Sequence, residues 1–247
     1  MKVIFHSDFY RVYASEPAAA PGRMEAVIES LGNSFEILQA VAADPQDIEA
    51  VHSPQHIARI RQKGLYNIAA LAAGGAVQAA AIGMEEPAFA LIRPPGHHAS
   101  RDDSWGFCYF NNMAVALTHL VRAGRIATAA VLDFDLHHGD GTEDILLGTG
   151  IVEMCNPRGA DRKGYLREVA SFLKALRVDI IGISAGFDNH QLDWGGLLAT
   201  DDYFAMGQMV KEAALATGAG YFGILEGGYN HSVLGQNVLA LLGGMSK

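Results

Sequence analysis

Asp133, Asp135, His137, His138 and Asp140 fall within eight positions of this chain, in the stretch Leu132-Asp133-Phe134-Asp135-Leu136-His137-His138-Gly139-Asp140-Gly141. They follow directly on the apolar run Ala127–Leu132. Such a run reads as a buried strand, and a strand that empties into so many polar groups needs a use for them. An unpaired buried carboxylate is expensive, and a cation or an imidazole partner removes the cost. Asp135 and His137 are two apart, so on an extended chain their side chains share one side. Two ligands of one cation would be placed in this way, with Asp133 and Asp140 left to orient imidazoles. The competing reading is a solvated acidic turn, with Asp140 capping a helix that starts near Gly141.

Four other stretches carry reactive types. Arg93-Pro94-Pro95-Gly96-His97-His98-Ala99-Ser100 places two adjacent imidazoles on a loop, either to handle protons near neutral pH or as surface histidines. Ser184-Ala185-Gly186-Phe187-Asp188-Asn189-His190 offers Asp188 as a third ligand. With Asp135 and His137 it would make three protein ligands, which leave an open position as catalytic zinc sites do. Leu225-Glu226-Gly227-Gly228-Tyr229-Asn230 pairs tight Gly-Gly geometry with a phenol that could donate to an oxyanion, or that merely packs after a turn. Trp105-Gly106-Phe107-Cys108-Tyr109-Phe110-Asn111-Asn112 sets aromatics beside glycine. These can wall a narrow apolar slot for a methylene stem, and some of them also serve the core.

The elements that must position these loops alternate in type. Strands are expected at Lys2–Phe5, Ala88–Ile92, Ala127–Phe134, Ile151–Met154, Asp179–Ser184 and Tyr221–Leu225. Helices are expected at Arg23–Leu31, Pro54–Gln62, Leu65–Ile82, Asn112–Ala123, Tyr165–Leu176, Asp201–Thr217 and Ser232–Leu242. Gly124, Gly218 and Gly243 stand where helices should stop. Strands alternating with helices imply an α/β fold with a parallel sheet covered on both faces. Four polar loops each follow a strand, and ligands in open α/β sheets bind beyond the carboxyl ends of strands, so the loops should converge on one site.

The chain has 247 residues, half of them hydrophobic (50%), which suits one catalytic domain over 1–247. The formal net charge of −9 argues against nucleic acid as a partner and is compatible with a cationic substrate such as a polyamine or a lysine-rich peptide. Two cysteines make no disulfide framework, and the start shows no signal-peptide core, so a cytoplasmic location is expected. Gly64–Met84 is uncharged, but it is mostly Ala and Gly with Asn67 and Gln78. It reads as a buried helix rather than a membrane span.

Taken together, these blocks resemble the zinc-dependent histone deacetylase superfamily, most of all its class II-like deacetylases and acetylpolyamine amidohydrolases. The resemblance runs from Met1 to Gly244 and rests on Val51-His52-Ser53-Pro54, Arg93–His98, Gly106–Asn112, Asp133–Gly141, Ser184–Asp188 and Leu225–Asn230, in that order. It implies the arginase/deacetylase fold, a three-layer α/β sandwich with a mostly parallel central sheet of about eight strands. It implies a metal on Asp135, His137 and Asp188, with Zn2+ expected and Fe(II), Co(II) or Mn(II) as alternatives for so oxygen-rich a set. It makes His98 the general base, paired to Asp140, and His97 its electrostatic partner, paired to Asp133. Tyr229 would hold the oxyanion, Phe107 would wall the slot and the Gly106 carbonyl would accept the scissile N–H.

The implied reaction is metal-dependent hydrolysis of an N-acyl amide on acetyl-lysine, an acetylpolyamine or a small acetylated amine. The substrate would be a small molecule or peptide, with neither nucleic acid nor membrane as partner. Two rivals share these features: a metal-holding binder of acetylated ligands without turnover, and a ureohydrolase-type enzyme. The chain departs from the family at Ile151–Tyr165. A longer loop there usually supplies a second slot aromatic and part of a structural K+ site. The short loop predicts a slot open on one side unless Tyr165 or a second subunit fills it, and leaves the K+ site and the oligomeric state open. Insertions that shape acetylpolyamine amidohydrolases are also missing around Gln62–Tyr66.

Overall fold

Each expected apolar run becomes a strand of one sheet in the computed structural model, which describes residues 1–246. Among the described residues the strands are β1 Lys2–Phe5, β2 Glu36–Gln39, β3 Ala88–Ala90, β4 Ala129–Asp133, β5 Val152–Cys155, β6 Ile180–Ala185 and β7 Gly220–Leu225. Their spatial order is β2-β1-β3-β7-β6-β4-β5, and every pair is parallel. The sheet therefore has seven strands rather than about eight. The strand without an expectation is β2, an edge strand whose residues are mostly exposed. A strand with little to bury has no apolar run to announce it.

The central strands show why a parallel sheet is legible. β4, β6 and β7 are buried at every position, as strands covered on both faces must be. Side chains such as Ile183 and Phe222 are fully buried and contribute about 1.5–3 kcal/mol each.

The helices are α1 Arg23–Leu31, α2 Pro45–Val51, α3 Pro54–Gln62, α4 Tyr66–Gly83, α5 Asn112–Arg122, α6 Asp140–Leu146, α7 Arg162–Ala175, α8 Thr200–Thr217 and α9 His231–Ser246. They pack in two groups, with α4 against α5 and α2, and α9 against α1 and α8, which in turn meets α7. The short α2 was not anticipated, although Asp44 caps it by accepting the Gln46 N–H at 2.8 Å. Helix α7 begins three residues earlier than expected, at an Asp161 cap bonded to the Gly164 N–H. Helix α4 is long and apolar enough to cross a membrane, and it packs against β1, β3, β7 and α5.

One expected stop is overturned. Gly218 does end α8 with φ +76°, but Gly243 lies inside α9, which continues to Ser246. The glycines here serve close helix packing instead. A Cβ on Gly244 would lie 2.1 Å from the Phe204 carbonyl oxygen, and one on Gly207 would lie 2.4 Å from the Leu241 carbonyl oxygen.

The loop after β3 is tied down by a buried imidazole. His52 Nδ1 faces the Ser100 carbonyl at 2.9 Å, and Nε2 accepts the Asn111 N–H at 2.9 Å. These partners define the neutral tautomer, with the proton on Nδ1. Burial, then the neighbouring His56, lowers the pKa from 6.5 to about 3. The unfolded chain takes up a proton below pH 6.5, and the folded one does not until far lower. Stability is therefore full above pH 6.5 and falls as pH drops toward 3, by up to about 1.4 kcal/mol per pH unit from this group. Denaturant midpoints measured from pH 7 to pH 5 should fall, and the fall should be shallower in His52→Gln. An equal slope in both proteins would remove His52 as the source.

Candidate active site

The four chemistry-bearing loops leave β3, β7, β6 and β4, which are consecutive neighbours in the sheet. Parallel strands end on the same side, so the loops meet above one edge of the sheet. The sequence orders these strands differently, and only the crossovers make them adjacent.

Asp135 and His137 leave the end of β4, and Asp188 leaves the end of β6. Their donor atoms all lie within 4.8 Å of one another. His137 Nδ1 stands 3.2 Å from Asp135 Oδ1 and 3.1 Å from Asp188 Oδ2. The second contact is not aligned as a hydrogen bond, so the buried Asp188 Oδ2 has no donor. The other three carboxylate oxygens are held by backbone N–H groups. Asp135 Oδ1 accepts from His137 at 2.9 Å, Asp135 Oδ2 from Gly227 at 2.8 Å, and Asp188 Oδ1 from Leu136 at 3.0 Å. Burial, then the Asp135 charge, pushes the Asp188 pKa up to about 6. The hydrogen bond of His137 to Asp135, then the Asp188 carboxylate close by, pushes the pKa of His137 up to about 10. Converging donors, an orphaned buried oxygen and a site that favours added positive charge all fit a divalent cation.

Beside this cluster stand two imidazole–carboxylate pairs. His97 Nδ1 faces Asp133 Oδ2 at 3.0 Å, and His98 Nδ1 faces Asp140 Oδ1 at 2.6 Å. The two rings lie 4.0 Å apart. Burial, reinforced by His97, lowers the His98 pKa to about 4 against the pull of Asp140. A neutral His98 can accept a proton. Asp140 is the first residue of α6, with Gly139 at the cap and no side-chain capping bond, so the capping role is overturned: the carboxylate is engaged with His98. Asp133 has partners on both oxygens, since its Oδ1 also accepts the Asp135 N–H at 3.2 Å.

Gly106 and Phe107 both adopt left-handed φ, +57° and +69°. A Cβ on Gly106 would lie 2.3 Å from His98 Cδ2, so no larger residue fits. A non-glycine residue at positive φ is strained and persists when its surroundings hold it. The turn sends the Phe107 ring to the edge of Tyr229, with centroids 5.9 Å apart. Burial, then the Asp135 and Asp188 charges, raises the Tyr229 pKa, which keeps the phenol protonated as a donor.

Tyr165 does not stand in for the loop that is short at Ile151–Tyr165. That residue is buried, and its hydroxyl donates to the Phe134 carbonyl at 3.2 Å. Trp194 takes the place beside Tyr229 instead, stacked on its ring at 4.1 Å and edge-on to His137 at 6.1 Å. Asp193 pins this loop, since its Oδ2 accepts from Tyr229 N–H at 2.8 Å and Asn230 N–H at 2.7 Å.

Three further residues take roles that the sequence reading did not assign to them. The fully buried Arg23 donates from Nε to the Gly228 carbonyl at 2.9 Å and from Nη2 to the Glu226 carbonyl at 2.6 Å. Glu226 Oε2 accepts from the Gly96 N–H at 2.7 Å and the His97 N–H at 3.3 Å, which ties two site loops together. Trp105 stacks on His98 at 3.8 Å. Glu226 and Trp105 lie inside the stretches Leu225–Asn230 and Trp105–Asn112. Arg23 opens an ordinary helix and carried no local signal.

Known proteins resemble the chain in the same terms. Residues 61–165 match the family model described as Histone deacetylase domain. That span includes the loops after β3 and β4 but not Asp188 or Tyr229. The chain is 31% identical to a probable deacetylase of Methanothermobacter thermautotrophicus, over 98% of this chain and 90% of that protein. It is 32% identical to an acetylpolyamine amidohydrolase of Burkholderia pseudomallei, over 71% and 60% of the respective chains. It is 27% identical to a histone deacetylase-like amidohydrolase of Pseudomonas aeruginosa, over 88% and 75%. Among solved structures, the crystal structure of the HDA15 HD domain superposes with a TM-score of 0.81 over 98% of this chain and 88% of that one. At 23% identity this is a likeness of fold.

Proposed function

The chain belongs to the histone deacetylase family, and from that premise we propose that it hydrolyses the N-acyl amide of an acetylated lysine, polyamine or small amine with a metal held by Asp135, His137 and Asp188. The observation that carries the reading is that the three converging donors stand beside both imidazole–carboxylate pairs, with His97 Nε2 at 3.8 Å from Asp135 and the His98 ring at 5.9 Å from that of His137, and that the Asp135 and Asp188 charges reach Tyr229. Zinc is the first choice of metal, with Fe(II), Co(II) and Mn(II) as alternatives.

When bound, a divalent cation supplies Lewis-acid polarisation of a carbonyl and makes water a better nucleophile. The protein groups do the rest. His98 takes the proton of the attacking water, and Asp140 holds its ring and stabilises the imidazolium that forms. Tyr229 donates its phenol proton in a hydrogen bond to the oxyanion, where it is worth several kcal/mol if prepositioned. His98 then returns a proton to the departing amine. His97, held by Asp133, is the second positive charge beside the developing negative one. Phe107 and Trp194 exclude water from the slot, and their aromatic faces suit an apolar stem between acyl group and amine.

The test is turnover across a panel of acetyl-lysine peptides, acetylpolyamines and small acetylated amines, with metal analysis in parallel. Amine and acetate should appear together, at one metal per chain. Dialysis against a chelator should abolish turnover, and added Zn2+ should restore it. Tight binding of an acetylated ligand with no amine release over hours would sink the hydrolase reading in favour of a binder. Two metals per chain would favour a ureohydrolase-type centre.

A further inference from the structure

We propose that Trp105 is a positioning residue for the His98–Asp140 pair, holding both members at once through its indole N–H and its ring face. The inference rests on the hydrolase reading of that pair. Trp105 Nε1–H donates to Asp140 Oδ2 at 2.9 Å, while Asp140 Oδ1 faces His98 Nδ1 at 2.6 Å. One carboxylate is thus divided between an indole and an imidazole. A carboxylate fixed at one oxygen can still swing; one fixed at both oxygens by separate donors cannot. The Asp140 side chain is 48% exposed, so water would otherwise occupy Oδ2. The indole replaces it with a donor that does not exchange.

The same indole sets the plane of the imidazole. His98 lies between the His97 ring at 4.0 Å and the Trp105 ring at 3.8 Å, the latter inclined by only 29°. Two rings this close leave the imidazole little freedom to turn. That freedom matters, because a misplacement of about 1 Å in a catalytic group can cost about 10²-fold in rate.

The local chain is built to bring Trp105 there. An antiparallel bridge joins Ala99, just after His98, to Ser104, just before Trp105. The segment between them is a short excursion that folds Trp105 back over the imidazole. The Cys108 N–H then bonds the Trp105 carbonyl at 2.9 Å, and the positive φ of Gly106 and Phe107 sends the next ring toward Tyr229 instead. Core packing does not explain the residue, since 55% of Trp105 remains exposed. Slot walling alone does not explain the hydrogen bond to Asp140.

Two substitutions separate the parts. Trp105→Phe keeps a ring and removes the donor; Trp105→Leu removes both. On whichever acyl-amine the wild type turns over, kcat should fall about 5-fold in the first and about 30-fold in the second, with KM within about twofold and metal content unchanged. In an Asp140→Asn background, Trp105→Phe should lose nearly all of its effect, because the group it acts through is already disabled. A raised KM at unchanged kcat, unchanged kinetics, or effects that multiply independently with Asp140→Asn would overturn the inference. A second readout needs no turnover. The chain has two tryptophans, so the indole N–H resonance that vanishes in Trp105→Phe is that of Trp105. It should move upfield in Asp140→Ala, and a resonance that stays in place also overturns the inference. A wild type that turns over no substrate on the panel, while this resonance still responds, overturns the hydrolase reading instead.

Discussion

Tyr229→Phe should leave metal uptake intact and lower amide turnover by about 10²–10³-fold, the usual loss for one oxyanion donor. The substitution removes a single oxygen. The ring keeps its edge contact with Phe107 at 5.9 Å, its stack on Trp194 at 4.1 Å and the Arg23 guanidinium at 5.7 Å. Its backbone stays bonded to Asp193. Folding and substrate binding should therefore change little, and the loss should fall on kcat. Because the wild-type phenol is held protonated by burial and by Asp135 and Asp188, no loss of a phenolate nucleophile is involved. Steady-state kinetics with metal analysis would measure this. A variant within about fivefold of wild-type kcat would take Tyr229 out of the reaction.

Asp188→Asn should empty the metal site without unfolding the chain. Asparagine can still accept the Leu136 N–H now bonded to Oδ1 at 3.0 Å. It cannot supply the second carboxylate charge, and Asp188 Oδ2 is the buried oxygen that otherwise has no partner. Loss of a group that merely supports a ligand costs about 10–100-fold in metal affinity, and loss of a ligand should cost at least that. After dialysis the variant should hold well under one metal per chain, with turnover falling in proportion. Its metal-free form should be at least as stable as the metal-free wild type, because burial and then the Asp135 charge, which together raise the Asp188 pKa to about 6, no longer act against a charged side chain. Wild-type metal content and activity in this variant would exclude Asp188 as a ligand. A variant that unfolds while the metal-free wild type does not would show a structural role instead.

Candidates and buried strands are marked by local patterns. Asp133, Asp135, His137 and Asp140 were legible because reactive types were crowded after an apolar run, and β4, β6 and β7 were legible because both of their faces are buried. β2 was not, since an exposed edge strand lacks that pattern. Gly243 does not end its helix: a Cβ there would meet only the Phe204 ring at 3.6 Å, and the close helix contacts are made by its neighbour Gly244 and by Gly207. The ring that stacks on Tyr229, Trp194, arrives from the loop after β6 and not from the shortened Ile151–Tyr165 stretch, and no local signal links the two.

The sequence by itself determined which groups can do chemistry, which strand each follows, and that the strands are parallel, because apolar period and loop composition are properties of neighbouring residues. Only the tertiary structure decided which groups meet. The order β3-β7-β6-β4 sets Asp188 beside Asp135, and an arginine 203 residues away holds the carbonyl of Glu226. Those contacts depend on crossover connections and on backbone turns such as the positive φ of Gly106 and Phe107. The proximity they create is a property of the folded chain, and no spacing along the sequence encodes it directly.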